Sequence, residues 1–322
     1  MQYKTHINIY NDYEHKNSNK EELKMATYIY TDTTADFSEE LAKKFKDFEI
    51  LPLAFSLDED HYDNIERKLP IEEFYKRVEA GAKTATSMTP TFYVEERLTE
   101  ALEAGKDVLV DCVSSKISGQ YEGVASVVKR LKEKYPKRNI EAFDTALASG
   151  GEAMHCYMLL EKRDAGASFD ELVEYGLDLK KHISSYFTCS DLKHLARLGR
   201  CSTAAAFIGT VIKLMPVLYV NPIGQLIVIK KVISRKKAIK ALFDKMDEKL
   251  DKNSKAKVFL THANCIEDAE FLKKLIEEKY GLEVVLNYIG PVVGGHTSSG
   301  CLALFFATDD RRDDEDPVKF NL

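Results

Sequence analysis

Residues 290–300, GPVVGGHTSSG, hold the side chains best suited to bind a small charged group. His296 stands there beside three hydroxyls, those of Thr297, Ser298 and Ser299, and the segment contains no carboxylate. A glycine-rich backbone lets N–H groups approach a ligand, and imidazole and hydroxyl groups add further donors. This inventory favours an anionic partner such as a carboxylate or a phosphate. A glycine-rich hairpin with an incidental histidine is the alternative interpretation.

A second polar segment, residues 83–90, carries Thr86 and Ser87 just before a predicted helix that starts near Phe92. Thr89 could cap this helix, with Pro90 in its first turn. Capping does not account for the preceding Thr86 and Ser87. The segment is therefore either a helix start or part of a ligand site.

A third polar segment, residues 114–121, directly follows the apolar run at residues 108–113. Ser118 can cap the long helix predicted from about residue 119. A helix N-terminus preceded by serines is also an anion site, because free N–H groups and the positive end of the helix dipole meet there. Both interpretations of Ser118 stay open.

Other polar residues compete for the same role. His262 ends a predicted strand and is a rival imidazole, although a lone histidine at a strand end is more often structural. Asp32, Thr33 and Thr34 end the first predicted strand and are candidates to face the same crevice. Asp32 has only Asp36 as a nearby acidic partner, so no metal site is predicted.

These segments need a scaffold, and the sequence predicts one in which strands and helices alternate. Predicted strands cover residues 28–33, 48–55, 108–113 and 140–143, and predicted helices cover 37–45, 71–79, 93–104, 119–134, 147–163 and 169–180. The continuous apolar run at 108–113 is typical of a strand buried on both faces of a parallel sheet. The pattern predicts an N-terminal doubly wound, mostly parallel α/β domain over residues 27–181. The polar segments then lie at strand ends and helix starts, where α/β folds bind ligands.

The pattern changes after residue 181. Predicted strands at 185–189, 215–220 and 225–232, with a hairpin turn at 221–224, are followed by helix 236–249, strand 257–261, helix 266–279 and two final strands. This order predicts a second α/β domain with a mixed sheet over residues 182–308, and a ligand in the crevice between the two domains. Residues 1–26 are expected to be a disordered extension, and residues 309–322 a charged, solvated tail.

Composition excludes several classes of protein. The 322 residues are 44% hydrophobic and 30% charged, which indicates folded domains with sizeable cores. A net charge of −6 argues against nucleic acid as the main partner. No apolar run reaches the roughly 18 residues of a membrane span, so no stable membrane insertion is expected. Six scattered cysteines without metal-site spacing fit a reduced, cytoplasmic location.

Five segments together resemble the DegV family of bacterial fatty-acid-binding proteins. YIYTDTTAD at 28–36 resembles the family's opening strand, and TSMTP at 86–90 resembles its Thr-Ser-Gln-Pro-Ser element. SSKISGQY at 114–121 is similar to Ser-Ser-x-Leu-Ser-Gly-Thr-Tyr, and DLKHLARLGR at 191–200 to Asp-Leu-x-Tyr-Leu-x-x-Gly-Gly-Arg. GPVVGGHT at 290–297 resembles Gly-Pro-Val-Ile-Gly-x-His-Thr. The resemblance covers residues 28–306. Three departures are Met88 for Gln, Leu198 for Gly, and Ser298-Ser299 for Gly-Pro.

The resemblance implies a protein that buries one long-chain fatty acid and presents its carboxylate to a separate ATP-dependent kinase, with no catalysis of its own. By motif match the carboxylate is bound by Thr86, Ser118 and His296, with Ser87 as an adjacent candidate. No cofactor other than the bound fatty acid is implied. A hydrolase or phosphotransferase that uses His296 with the crevice serines is the alternative.

A fatty acid also needs an apolar tunnel, and the kinase needs a docking surface. The candidates for the tunnel wall are Phe92, Ile117, Phe207, Ile208 and Val211. The candidates for docking are three basic residues of the segment 191–200, Lys193, Arg197 and Arg200. A solvated helix face is the alternative for these basic residues.

Overall fold

Strands and helices alternate along a computed structural model that describes residues 27–65, 67–201 and 214–311. The strands are β1 (Thr27–Asp32), β2 (Phe48–Leu51), β3 (Ala54–Leu57), β4 (Asp60–Tyr62), β5 (Thr84–Ser87), β6 (Asp107–Cys112), β7 (Ile140–Asp144), β8 (Ile183–Thr188), β9 (Met215–Val220), β10 (Leu226–Val232), β11 (Val258–His262), β12 (Val284–Tyr288) and β13 (Leu302–Ala307). The helices are α1 (Glu39–Ala42), α2 (Ile71–Glu79), α3 (Thr91–Glu103), α4 (Gln120–Lys134), α5 (Gly150–Asp164), α6 (Phe169–Leu179), α7 (Leu192–Arg197), α8 (Arg235–Lys249), α9 (Ile266–Tyr280) and α10 (Pro291–Thr297), with a 3₁₀ turn at Thr33–Ala35.

The N-terminal sheet is parallel, in the order β2-β1-β6-β7. All six residues of β6 are buried, as the apolar run predicts, because helices cover both faces of the sheet. Helices α3 and α4 pack on one face, and α5 packs on the other. The predicted doubly wound arrangement is confirmed.

The C-terminal sheet is mixed, in the order β10-β9-β8-β13-β11-β12, and only the β11–β12 pair is parallel. Helix α5 reaches this sheet as well, so one helix is packed between the two sheets. Its first two residues make this close approach possible. A Cβ on Gly150 would lie 2.8 Å from the Phe305 ring, and one on Gly151 would lie 2.9 Å from the same ring. The fold therefore has a parallel sheet and a mixed sheet, and α5 packs against both.

The single strand predicted at residues 48–55 is wrong. The chain breaks after Leu51, and residues from Ala54 onward join a separate three-stranded antiparallel sheet, β4-β3-β5. Pro52 has no N–H to donate to a ladder, and Leu53 N–H donates to Thr33 Oγ1 at 2.9 Å instead. Residues 84–87, expected in a loop, form β5 of this sheet, so Thr86 lies on a strand.

The glycine-rich segment at 290–300 is largely a helix, not a hairpin turn. Pro291 occupies the first turn of α10, where its missing N–H costs no hydrogen bond. Gly294 lets α10 pack against α2, because a Cβ there would lie 2.6 Å from Tyr75 Oη. The helix carries His296 in its last turn.

The expectation of a solvated tail from residue 309 is wrong for Arg311, which is only 2% exposed. Residues 1–26 and 312–322 lie outside the described residues. None of the described helices is long and apolar enough to cross a membrane. Across the same residues, no group of three or more His, Cys, Asp or Glu side chains is arranged to hold a metal ion.

Candidate functional site

A cavity of about 260 Å³ opens between the two sheets. Val113 after β6 and Ser149 before α5 line it from the N-terminal side, and Phe187, Val220 and Phe305 of the mixed sheet line it from the other. Most of the side chains that line it are apolar. Such a cavity suits a ligand that is mainly hydrocarbon.

Thr86 and His296 meet at this cavity, although 210 positions separate them in sequence. Thr86 Oγ1 lies 2.8 Å from His296 Nε2, while His296 Nδ1 is buried and has no partner among the described residues. Burial lowers the pKa of His296 to about 4, and the nearby charge of Arg200 adds to the effect. The imidazole is therefore neutral at neutral pH.

The neutral pair keeps one hydrogen for a ligand in either tautomer. If Nε2 is bare, it accepts the Thr86 hydroxyl hydrogen, and Nδ1 carries a hydrogen that has no acceptor. If Nε2 carries the hydrogen, it donates to Thr86 Oγ1, and the hydroxyl hydrogen of Thr86 is the one without an acceptor. The pair can thus donate to an anion without becoming charged.

Three hydrogen bonds to backbone carbonyls hold α10 in place. Thr84 Oγ1 donates to Gly295 O at 2.6 Å, and His194 Nε2 donates to the same carbonyl at 2.7 Å. Tyr75 Oη donates to Ile289 O at 2.6 Å, just before the helix begins. Strand β5, helix α7 and helix α2 thus fix the orientation of His296.

Asp36 ties the start of α10 to the start of α5. Its carboxylate accepts from Gly290 N at 2.7 Å and from Ser149 Oγ at 2.5 Å. Its carbonyl accepts from Asn287 Nδ2 at 2.6 Å. Burial raises the pKa of Asp36 to about 7 even though both hydrogen bonds to the carboxylate oppose that shift. The sequence does not mark Asp36 as a site residue, because an acid after a strand is typical of an ordinary helix start.

Ser118 and Ser87 also line the cavity. Ser118 Oγ accepts from Gln120 N at 3.2 Å, which leaves the hydroxyl hydrogen available to a ligand. Thr89, the other proposed cap, does not cap α3. Its N–H donates to Gln120 Oε1 at 3.0 Å, and its hydroxyl donates to Pro52 O at 3.0 Å. Gln120 thereby draws the Thr86 and Ser118 segments together.

Arg200 is a half-buried residue at the cavity, and not simply part of a surface patch. It lines the cavity, and its guanidinium donates to Leu198 O at 2.6 Å and to Ile117 O at 3.3 Å. The side chains of Lys193 and Arg197 lie outside the described residues. Arg200 therefore lines the cavity in addition to belonging to the predicted docking patch, and its positive charge lies close enough to act on His296.

The expected tunnel wall is partly wrong. Ile117 lines the cavity, whereas Phe92 does not and is 73% exposed. Phe92 is the second residue of α3 and lies on the face of this helix that points to solvent, whereas the buried face carries Val94 and Leu98. Phe207, Ile208 and Val211 lie outside the described residues.

The rival imidazole, His262, does not line the cavity. It is buried, packs against Tyr288 with ring centres 4.3 Å apart and ring planes tilted by 47°, and its Nδ1 accepts from Cys265 N at 3.3 Å. These contacts are structural. Burial lowers the pKa of His262 to about 4, so it too stays neutral.

Thr34 reaches the cavity wall, and buried acids lie behind it. Its hydroxyl lies 2.5 Å from Asp32 Oδ1 and 2.9 Å from Glu152 Oε2. One hydroxyl hydrogen cannot serve two carboxylates, so one acid holds a proton. Burial raises the pKa of both acids, that of Glu152 well above its usual range, so this pair holds a proton more tightly than exposed carboxyls would. Glu152 carried no signal in the sequence.

Residues 26–309 match the model of the DegV family. A DegV domain-containing protein of Clostridium perfringens is 35% identical over 283 residues, which cover 87% of this chain and 97% of that protein.

Two solved structures are similar over nearly their full length. One is described as a DegV lipid-binding protein of Thermotoga maritima, with 27% identity, a TM-score of 0.77, and coverage of 89% of this chain and 100% of that chain. The other is described as DegV, a fatty-acid-binding protein of Bacillus subtilis, with 27% identity, a TM-score of 0.76, and coverage of 88% and 100%. With the fold, the order of the motifs and the family match in agreement, this chain belongs to the DegV family.

Proposed function

We propose that this protein binds one long-chain fatty acid in the cavity and presents its carboxylate to a partner kinase. The observation that carries the proposal is the Thr86–His296 pair, a neutral donor set with one spare hydrogen in the wall of an apolar cavity. The relatives described as lipid-binding and fatty-acid-binding support the same ligand class.

The carboxylate is assigned to Thr86, Ser118 and His296, with Ser87 beside them. A buried carboxylate is costly unless donors replace its water, and these side chains supply hydroxyl and imidazole hydrogens. Arg200 supplies the positive charge that the other residues lack. Each CH₂ group of the chain that leaves water contributes about 0.8 kcal/mol. The tail therefore supplies most of the affinity, and the polar residues fix the orientation of the head group.

Presentation to a kinase is what the resemblance to the DegV family implies. The sequence of this chain has no phosphate-binding P-loop motif, so an acyl phosphate would need ATP bound by another protein. Arg200 lies beside the site of the head group and, with Lys193 and Arg197, is the candidate contact for that partner.

The alternative of a hydrolase or phosphotransferase is less well supported by the geometry. A histidine that acts as a general base needs a third group to orient it, as in catalytic triads. His296 Nδ1 has no such partner among the described residues. Its neighbour at Nε2 is the Thr86 hydroxyl, so a hydroxyl and an imidazole are in contact but the third group of a triad is missing among the described residues.

Native mass spectrometry of the purified protein tests the proposal. A mass excess equal to one long-chain fatty acid, lost on organic extraction and restored by adding oleate, is the expected result. A chain that carries no such mass and takes up no added oleate would refute fatty-acid binding. Formation of acyl phosphate from ATP by this chain alone would refute the carrier role.

A further inference from the structure

Arg311 buries its charged group beside backbone carbonyls. Its Nη2 lies 2.9 Å from Ala146 O, 2.9 Å from Val220 O and 2.7 Å from Asn221 O, and its Nη1 donates to Lys180 O at 3.2 Å. Nη2 has two hydrogens for three carbonyls, so one hydrogen is shared between two acceptors. A single guanidinium thus bonds four main-chain groups.

The four acceptors come from three separate parts of the fold. Ala146 follows β7, Lys180 follows α6 before the mixed sheet begins, and Val220 ends β9 just before Asn221 begins the turn to β10. The main chain of Arg311 adds a fifth bond, from its N–H to Lys181 O at 2.7 Å. Arg311 therefore joins the N-terminal sheet, the connection and the mixed sheet.

Two of these parts form walls of the cavity. Val220 lines it directly, and Ala148, two residues after Ala146, lines it from the opposite side. The turn between β9 and β10 also packs closely on the N-terminal side. Ser114 Oγ donates to Gly224 O at 3.0 Å, and a Cβ on Gly224 would lie only 2.0 Å from Ser114 Oγ. Arg311 therefore bonds both the β9–β10 turn and the segment after β7, and so acts on the distance between these two walls of the cavity.

A buried guanidinium is costly, which makes a merely space-filling role a poor explanation. Burial lowers the pKa of Arg311 to about 10, so the group is still charged at neutral pH. Its planar fork can reach several carbonyls at once, which a lysine ammonium on a flexible stem does less well. The family match ends at residue 309, so Arg311 lies just beyond it.

We propose that residues 309–311 form a C-terminal strap, in which Arg311 is a positioning residue that holds the β9–β10 turn against the segment after β7 and so controls release of the ligand from the cavity. The effect on the ligand rests on the proposed function. The effect on the turn does not, and it can be measured without any ligand.

The test compares Arg311→Met, Arg311→Lys and the matched control Arg130→Met in the full chain. Arg130 is a half-exposed arginine on α4 that pairs with Glu95, so its loss removes the same charge without touching the strap. Stopped-flow release of a fluorescent fatty acid gives the dissociation rate. Amide hydrogen exchange at Gly224 and Gln225, whose N–H groups bond Asn221, reports on the turn.

We expect Arg311→Met to release the fatty acid about 10-fold faster, the factor that corresponds to one lost charge-assisted hydrogen bond. Arg311→Lys should lie between this variant and the wild type, and Arg130→Met should match the wild type. The amides of the turn should exchange faster in the same order. If Arg311→Met does not fold, the release and exchange rates of Arg311→Lys are compared with those of the wild type instead.

Wild-type release from every Arg311 variant that folds, even with a lowered melting temperature, would overturn the strap as a positioning device. Unchanged exchange at Gly224 and Gln225 would overturn it without reference to the ligand. The two proposals can also fail separately. If the wild-type chain binds no fatty acid, but the amides of the turn exchange faster in Arg311→Met than in the wild type, the proposed function is refuted and the strap is supported.

Discussion

Replacing Thr86 by valine removes one hydroxyl and little else. Valine keeps the shape of threonine and is equally suited to strand β5. The change deletes the contact with His296 Nε2, and with it the donor that this pair offers to a carboxylate in one tautomer. In the other tautomer, Nε2 loses its donor, and the imidazole is no longer held in place.

The size of the effect follows from the charge of the ligand. A hydrogen bond to a charged group contributes about 1.5–3 kcal/mol. Since about 1.4 kcal/mol corresponds to a tenfold change, Thr86→Val should weaken fatty-acid binding by about 10- to 150-fold. The cost to folding should be only about 0.5–1.5 kcal/mol, because a neutral hydrogen bond at a half-buried position is lost.

Thr84→Val is the matched control. Thr84 lies on the same strand and is also half-buried, and its hydroxyl bonds the carbonyl of Gly295 next to His296, but it does not line the cavity. Binding is measured by displacement of a fluorescent fatty acid, and stability by thermal unfolding. In Thr84→Val, Gly295 O still accepts from His194 Nε2 and Ile289 O still accepts from Tyr75 Oη, so α10 keeps two of its three anchors and His296 stays in place. We expect both variants to lose similar stability and only Thr86→Val to lose the large factor in affinity. Equal affinities in the two variants would refute the assignment of Thr86 to the head group.

Three further predictions follow from the same contacts. Ser118→Ala and His296→Ala should each weaken fatty-acid retention by about 1–3 kcal/mol in the displacement assay, because each leaves a buried acceptor short of a donor; full retention in both would contradict the site. Burial raises the pKa of Asp36 to about 7, against ~3.9 in an unfolded chain, so the folded state holds this proton more tightly. The stability that this group contributes is fully present below the unfolded pKa of ~3.9 and is lost as the pH rises to about 7. The free energy of unfolding in urea should therefore fall less between pH 5 and pH 8 in Asp36→Asn than in the wild type, and equal falls would contradict the prediction. Gly294→Ala should destabilise the fold by about 1–3 kcal/mol in the same assay, because the new Cβ would clash with the hydroxyl of Tyr75 on α2. The control Gly123→Ala should cost less, because its Cβ would meet the flexible end of the Met88 side chain. Equal losses would contradict close packing of α2 against α10.

The order and type of most elements could be predicted from the sequence. The apolar run at 108–113 gives β6, and the amphipathic run that follows gives α4, because burial on one or two faces leaves a clear period. The motif segments could also be recognised, since hydroxyls and a histidine beside glycines are unusual in an apolar chain. This was enough to indicate the family and the class of ligand.

Local geometry was predicted less well. Residues 84–87 form a segment too short and too polar to show the period of a strand, so the sequence predicts a loop where the structure has β5. The glycines at 294 and 295 favour a turn by local preference, yet packing against α2 and β5 makes this segment a helix. In both places a tertiary contact overrides the preference of the residues.

The alternation of strands and helices, the buried strand at the centre of the first sheet and the supply of polar residues for a ligand are all visible in the order of the residues. Which of those residues meet depends on how distant segments pack. Thr86 and His296 come together because β5 and α10 pack side by side, and Phe92 is excluded because α3 turns it to solvent. Arg311 looked like part of a charged tail, but it is buried because carbonyls from three distant segments converge on it. Such convergence depends on how distant segments pack in three dimensions, and no local pattern of residues records it.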